Sequence, residues 1–169
     1  MREAGCKFKY LKLLVFALAL GGGPGRAELP RVAPAQDLHA DARLAEARGL
    51  PILLAFTRHD CRYCTQVEAD FLVPLLLNDY ETNRVLIRTL LIDAGGELRD
   101  FDGTRVTPAA LAERYGVRLA PTLIFVDAQG RELAERLVGL TTPDFYGGYL
   151  EAAIDAATAQ LQAAPDRGP

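Results

Sequence analysis

The sequence is poor in the residues that usually bind metal ions. Its 169 residues include only three cysteines and two histidines, His39 and His59. One cysteine, Cys6, lies close to the N-terminus, apart from the other two. A tetrahedral zinc site needs four ligands, most often cysteine or histidine. The composition therefore argues against a structural zinc site and leaves only a small carrier site, such as that of a copper chaperone, at Cys61, Cys64 and a histidine.

Lysine is absent beyond residue 12. Lys7, Lys9 and Lys12 precede a short apolar run, 13–20, and small residues follow it. This order is typical of a secretory signal peptide. The run is shorter than the roughly 20 apolar residues that a membrane-spanning helix needs. We therefore predict cleavage after Ala27 and export to an oxidising compartment, with an uncleaved membrane anchor as the alternative.

Positive charge is also scarce in the rest of the chain. Removal of residues 1–27 takes five of the 19 basic side chains and one of the 22 acidic ones, leaving a formal charge of about −7. An acidic domain without a basic run repels phosphate backbones, so nucleic acid is excluded as a partner. We expect a monomer that acts on proteins or small thiols.

The length suits one domain with a substantial core. We divide the chain into a signal peptide (1–27), a proline-containing linker (28–36), a domain (37–162) and a flexible tail (163–169). Within the domain, apolar runs and helical spacings follow in the order helix, strand, helix, strand, helix, strand, strand, helix. This order predicts an α/β fold with a central mixed β-sheet and helices on both faces.

The predicted strands differ in character. The continuous apolar run 51–56 is typical of a strand that is covered on both faces. Strands are also predicted at 84–93, 122–126 and 131–138, the last two as a hairpin. The glycine-rich stretch 94–106 reads as a loop or insertion. The predicted helices cover 37–48, the segment from Cys61 that Pro74 should kink or end, 108–115, and the chain from Thr142 onward.

Cys61 and Cys64 lie where the second helix begins, after the first strand. Cysteines at this spacing can close a disulfide ring that leaves the first sulfur exposed and turns the second toward the helix. The helix N-terminus and Arg62 favour a thiolate at Cys61, whereas Asp60 opposes it. A purely structural disulfide over so short a loop would add little stability. Glu68 follows Cys64 by one turn, so it is either a proton carrier for that sulfur or an ordinary surface charge.

Two later segments help to interpret the function of this cysteine pair. The first is Tyr115-Gly-Val-Arg-Leu-Ala-Pro-Thr-Leu-Ile-Phe-Val126, and the second continues through Asp127-Ala-Gln-Gly to Thr142-Pro143. With these segments, the chain from about Ala35 to Ala157 resembles the thioredoxin superfamily. It is most similar to exported bacterial members, including thioredoxins associated with sulfur oxidation and the C-terminal domain of DsbD.

The resemblance implies a thioredoxin fold and a site around the cysteines. Pro121 would have a cis peptide bond and lie beside the cysteine pair, with the backbone of Ala120 free to bind a substrate strand. Cys61 would attack a client disulfide and Cys64 would resolve the mixed disulfide, without a cofactor. The resemblance further implies a periplasmic location, client proteins with disulfides, and a membrane electron donor of the DsbD type.

Three departures from cytosolic thioredoxins bear on the chemistry. Asp60 replaces the tryptophan before the first cysteine, and Arg62-Tyr63 replaces Gly-Pro between the two. Ala55 aligns with their buried aspartate, which leaves Glu68 or water to carry the proton of the resolving cysteine. Because the intervening residues help to set the potential, a disulfide oxidant or isomerase remains an alternative to a reductant.

Overall fold

A computed structural model describes residues 30–78 and 83–163. The predicted signal peptide, with Cys6, lies outside the described residues, as does the tail beyond residue 163. The helices are α1 (Leu38–Arg48), α2 (Arg62–Val67), α3 (Val73–Leu77), α4 (Pro108–Arg114) and α5 (Pro143–Ala163), with a π-helical segment, Glu68–Leu72, joining α2 to α3. The strands are β1 (Ile52–Thr57), β2 (Leu86–Leu91), β3 (Leu98–Arg99), β4 (Arg105–Val106), β5 (Thr122–Val126) and β6 (Leu137–Val138).

The main sheet has the strand order β2-β1-β5-β6. Strand β1 runs parallel to β2 and antiparallel to β5, and β5 runs antiparallel to β6. The pairing of Phe56 with Thr122 brings the carboxyl end of β1 to the start of β5. Residues that follow β1 and residues that precede β5 therefore meet at one edge of the sheet.

Strand β1 lies at the centre of the core. Its side chains alternate between two apolar clusters: Leu53 and Ala55 face one side, and Ile52, Leu54 and Phe56 face the other. Helix α5 and the π-helical segment cover the first side, and α1 and α4 cover the second. The predicted α/β fold, a mixed sheet with helices on both faces, is confirmed.

The segment predicted as a linker, 28–36, is partly built into the fold. Val32 is buried, and the backbone of residues 33–35 bonds to Thr89 on β2, with Ala35 N donating to Thr89 O at 2.8 Å and Thr89 N donating to Ala33 O at 3.0 Å. Pro34 lies opposite Thr89 in this bridge. An edge strand leaves backbone groups unpaired, and this segment pairs them; a proline is tolerated at such an edge because its missing N–H can face away.

Two other predictions need correction. The stretch 94–106 is more than a loop, because β3 and β4 form a small antiparallel hairpin there. The strand predicted over 131–138 is regular only at Leu137–Val138, with a single bridge between Val126 and Glu132 before it. Among the residues that the structure describes, no helix combines the length and apolar character needed to cross a membrane.

Candidate active site at the Cys61–Cys64 disulfide

The turn from β1 into α2 places the first cysteine. Asp60 has a φ of 51°, in the left-handed region that aspartate tolerates better than most residues. Cys61 then caps α2 with extended backbone (φ −100°, ψ 95°). The chain therefore reverses into the helix with the Cys61 side chain at its N-terminal end.

Cys61 and Cys64 form a disulfide, with an S–S distance of 2.09 Å and a Cα–Cα distance of 5.2 Å. The two cysteines differ in exposure: Cys61 is partly exposed, whereas Cys64 is 5% exposed and belongs to the buried side of α2. An attacking group from outside therefore reaches the Cys61 sulfur first.

Backbone groups surround the Cys61 sulfur. The Cys64 N–H donates to Cys61 Sγ at 3.2 Å, and Ala120 O lies 3.8 Å from the same sulfur. The amide is one of the donors that a helix N-terminus leaves without a helical partner. After reduction, this contact and the helix dipole favour negative charge on Cys61.

The loop before β5 lies beside the disulfide and is held from both sides. The Ala120–Pro121 peptide bond is cis. Gly139 N donates to Pro121 O at 2.7 Å, and Thr122 Oγ1 donates to Leu119 O at 2.8 Å. The structure thus brings Cys61, Cys64, Ala120 and Pro121 together, and the roles assigned to these residues stay predictions.

The two residues between the cysteines are exposed. The Arg62 guanidinium lies 5.3 Å from the centre of the Tyr63 ring, and Tyr63 is 50% exposed. A guanidinium above a ring face is attracted by the ring quadrupole. Arg62 and Tyr63 therefore form an outward-facing pair on the rim of the disulfide, next to Asp60.

Glu68 has a different neighbour from the one predicted. Its Oε1 accepts a hydrogen bond from Val32 N at 3.1 Å, and the side chain is half-buried. The carboxylate therefore anchors the N-terminal segment that pairs with β2. A role for Glu68 in proton transfer to Cys64 remains a prediction.

Glu68 also begins the π-helical segment, which changes the buried face of this helix. The Val73 N–H bonds to Glu68 O, five residues back, so one residue more than usual fits into the turn. Leu72 is 1% exposed, whereas Phe71, which would continue the helical spacing of Cys64 and Val67, is half-buried. Pro74 lacks the N–H that a regular helix would use at this point, and the wider turn lets the helix continue into α3 rather than end.

The sequence analysis missed Asp93. The His59 N–H donates to both carboxylate oxygens at 3.1 Å, and His59 Nδ1 lies 3.2 Å from Oδ1. Desolvation raises the pKa of Asp93, but the hydrogen bonds from the backbone N–H and the ring of His59 outweigh it, so the pKa lies below its ordinary value. The sequence offered a signal for Asp93, because it is the last residue of the strand predicted over 84–93, whose carboxyl end meets that of β1.

The structure also bears on the proton route and on metal binding. Ala55 is 1% exposed and lies in the same core cluster as Val67 of α2. It has no ionisable group for proton transfer. No group of three or more histidine, cysteine, aspartate or glutamate side chains suited to a metal ion occurs within residues 30–78 and 83–163.

Comparison with known proteins agrees with this geometry. The model of the thioredoxin-like domain family matches residues 38–154. The chain belongs to the thioredoxin-like family. The Cys61–Cys64 disulfide at the N-terminus of α2 lies within the matched residues.

Several members of this family are similar to the chain. The thiol:disulfide interchange protein DsbD of Cronobacter sakazakii is 31% identical over 120 residues, which cover 70% of this chain and 19% of that protein. DsbD of Ralstonia nicotianae is 27% identical over 130 residues, 77% of this chain and 20% of that protein. The chain thus spans about a fifth of the length of these curated relatives. A poplar thioredoxin h structure gives a TM-score of 0.48 at 17% identity, covering 67% of this chain and 85% of that one.

Proposed function

We propose that this thioredoxin-like protein is an exported, periplasmic reductant of disulfides in client proteins. The observation that supports it best is the asymmetric disulfide: the Cys61 sulfur is partly exposed and 3.8 Å from Ala120 O, whereas Cys64 is buried behind it. Such an arrangement suits an attacking sulfur and a resolving sulfur. The similarity to DsbD, a thiol:disulfide interchange protein, supports the same chemistry.

In the first step, the reduced protein attacks a client disulfide. The Cys61 thiolate forms a bond to one client sulfur and the client S–S bond breaks, releasing the other client sulfur as a thiolate that takes a proton from water. The Cys64 N–H, 3.2 Å from Cys61 Sγ, stabilises the attacking thiolate before the step. The product is a mixed disulfide between Cys61 and the client.

In the second step, Cys64 releases the client. The Cys64 thiol loses its proton and its sulfur attacks Cys61, which re-forms the Cys61–Cys64 disulfide and frees the client's second thiol. Since Ala55 carries no acid, the Cys64 proton passes to Glu68 or water. A dithiol donor then supplies two electrons and two protons to reduce the disulfide again, and we assign this to a membrane protein of the DsbD type.

The client binds beside the disulfide as an extended strand. Its backbone lies against Ala120, whose carbonyl already faces Cys61, and the exposed Leu119 and Tyr63 flank the contact. Leu119 is 62% exposed and Tyr63 is 50% exposed, so apolar surface is available on both sides of the sulfur. Backbone contacts of this kind tolerate many client sequences.

Serine variants test the assignment. In the full chain with dithiothreitol as donor, Cys61→Ser should abolish insulin reduction, because no attacking sulfur remains. Cys64→Ser, first reduced and then freed of dithiothreitol, should accumulate mixed disulfides with insulin that survive non-reducing electrophoresis, because the resolving sulfur is missing. Cys6→Ser is the matched control and should keep full activity; full activity in Cys61→Ser would falsify the assignment.

The direction of electron flow has its own test. Equilibration of the Cys61–Cys64 pair with glutathione gives its potential, and a value well above about −200 mV would favour the oxidant or isomerase alternative. Identification of the proteins trapped by Cys64→Ser would name the clients. Metal analysis of the reduced protein, with and without His59→Ala, tests the carrier alternative.

A further inference from the structure

A cavity of about 310 Å³ lies close to the disulfide, at the carboxyl ends of β1 and β2. Its lining includes Arg58, which follows β1, Ile92, which follows β2, and Arg118, which follows α4. Ile92 and Ala112 in this lining are 7% and 4% exposed, so part of the wall is apolar. The cavity thus combines an apolar wall with two guanidinium groups.

The cavity is adjacent to the proposed path of the client. Arg118 precedes Ala120 by two residues, and Ala120 O lies 3.8 Å from the Cys61 sulfur. Two residues of chain span at most about 7 Å, and the chain bends at residues 119–120. A client cysteine that lies against Ala120 therefore has Arg118 within reach of its neighbouring residues.

The arginines at this surface have no ion-pair partner among the described residues. Six described arginines each pair with an aspartate or glutamate: Arg84, Arg88, Arg99, Arg114, Arg131 and Arg136. Arg58, Arg62 and Arg118 are exposed, and within the described part of the chain no carboxylate pairs with any of them. Three guanidinium groups around one disulfide are therefore available to a partner.

The acidic groups nearby reduce this positive charge without cancelling it. Glu113 also lines the cavity, and Asp60 adjoins the disulfide. Asp93 already accepts the N–H of His59 and contacts its ring. The three arginines without an ion pair therefore outnumber the two such carboxylates named here, although the net charge of the whole chain is negative.

We propose that this cavity selects clients with a glutamate or aspartate close in sequence to the reactive cysteine. The carboxylate would bind between Arg58 and Arg118, and its aliphatic stem would lie against Ile92. This inference rests on the proposed function, because the client must first bring its disulfide to Cys61. It adds a charge preference to backbone contacts that by themselves accept many sequences.

The test compares three peptide disulfides that differ at one position, glutamate, glutamine or lysine, two residues from the cysteine. Their reduction by the full chain, with dithiothreitol as donor, gives kcat/KM for each. We expect kcat/KM to fall in the order glutamate, glutamine, lysine. Each step should lower it by roughly two- to fivefold at low salt, the range that exposed ion pairs give. The preference should largely disappear at about 0.5 M NaCl, where the Debye length is only a few ångströms.

Arginine variants localise the effect. Arg58→Ala and Arg118→Ala should each lower the glutamate-to-lysine ratio by roughly two- to fivefold. Arg105→Ala is the matched control, because Arg105 is exposed and unpaired in the described chain but lies on the β3–β4 hairpin; it should leave the ratio unchanged. Equal rates for the three peptides would overturn this inference and leave the proposed function standing. The same holds if Arg105→Ala lowers the ratio as much as Arg58→Ala and Arg118→Ala do. Failure to reduce any peptide would overturn the proposed function and the inference with it.

Discussion

Tyr146 carries a buried hydroxyl whose removal should stabilise the protein. The side chain is 3% exposed, its ring centre lies 4.7 Å from that of Phe71, and its hydroxyl has no hydrogen-bond partner among the described residues. A buried polar group without a partner costs about 1–3 kcal/mol. We therefore expect Tyr146→Phe to raise the free energy of unfolding by about 1 kcal/mol at pH 7.

The same side chain should make the protein sensitive to alkali. Burial raises the pKa of Tyr146 from 10.0 to about 12. Because the pKa is higher in the folded state, the protonated hydroxyl contributes to the free energy of unfolding. This contribution is fully present below pH 10 and is lost as the pH rises toward 12. The loss is about 1.4 kcal/mol at pH 11 and about 2.7 kcal/mol once both states are ionised. The phenylalanine variant lacks this loss, so its advantage should grow to roughly 2.4 kcal/mol at pH 11.

Urea denaturation at pH 7 and pH 11 measures both effects. Tyr149→Phe is the matched control, because Tyr149 lies on the same helix but is 54% exposed. Its stability should change little at either pH. The reasoning is refuted if Tyr146→Phe is less stable than the parent by about 1 kcal/mol at pH 7, or if its advantage does not grow between the two pH values.

Three further outcomes follow from the structure. Asp41→Ala should lower the free energy of unfolding by about 3–5 kcal/mol in urea denaturation, because Asp41 is buried and accepts two hydrogen bonds from Arg88, at 2.9 and 2.5 Å. Gly130→Ala should cost about 2 kcal/mol or more, since its φ is +76° and a Cβ would lie 2.9 Å from the Phe101 ring and from the Tyr115 hydroxyl. In the reduced protein, iodoacetamide followed by mass spectrometry should show Cys61 modified long before Cys64, which is 5% exposed.

Matched variants separate these effects from general damage. Glu132→Ala removes an ion pair with Arg136 that is about one-third exposed, and should cost less than about 1 kcal/mol. Gly95→Ala adds a Cβ with no atom within 4 Å and should change stability little. If Asp41→Ala costs no more than Glu132→Ala, burial does not strengthen the Asp41–Arg88 pair. Equal modification of both cysteines would contradict the asymmetry of the disulfide.

Local patterns in the chain anticipated much of the fold. The apolar run at 51–56 became β1, which pairs on both edges, and the spacing of Cys61 and Cys64 at a helix start became the observed disulfide. Pro121 was assigned to the site by resemblance, and the structure places it there. These features depend on residues that are close in sequence or on a resemblance to a known family.

Longer-range features escaped the sequence analysis. Val32 was assigned to a linker, but Glu68 and β2 hold its segment against the sheet. Asp93 was not linked to His59, and the extra residue in the π-helical turn moved Leu72 into the core. Each of these features depends on which backbone group still needs a hydrogen-bond partner after the strands have paired. The order of residues along the chain does not show this.

By itself, the amino-acid sequence determined the chemistry: two cysteines at the end of a buried strand, in a chain that offers few other metal ligands or nucleophiles. The tertiary structure alone decided which groups surround that chemistry. The antiparallel pairing of β1 with β5 brings Ala120 to the Cys61 sulfur. The parallel pairing of β1 with β2 brings together the ends of both strands, and with them Arg58 and Ile92. Strand register sets these neighbours because it joins segments that are far apart in the chain.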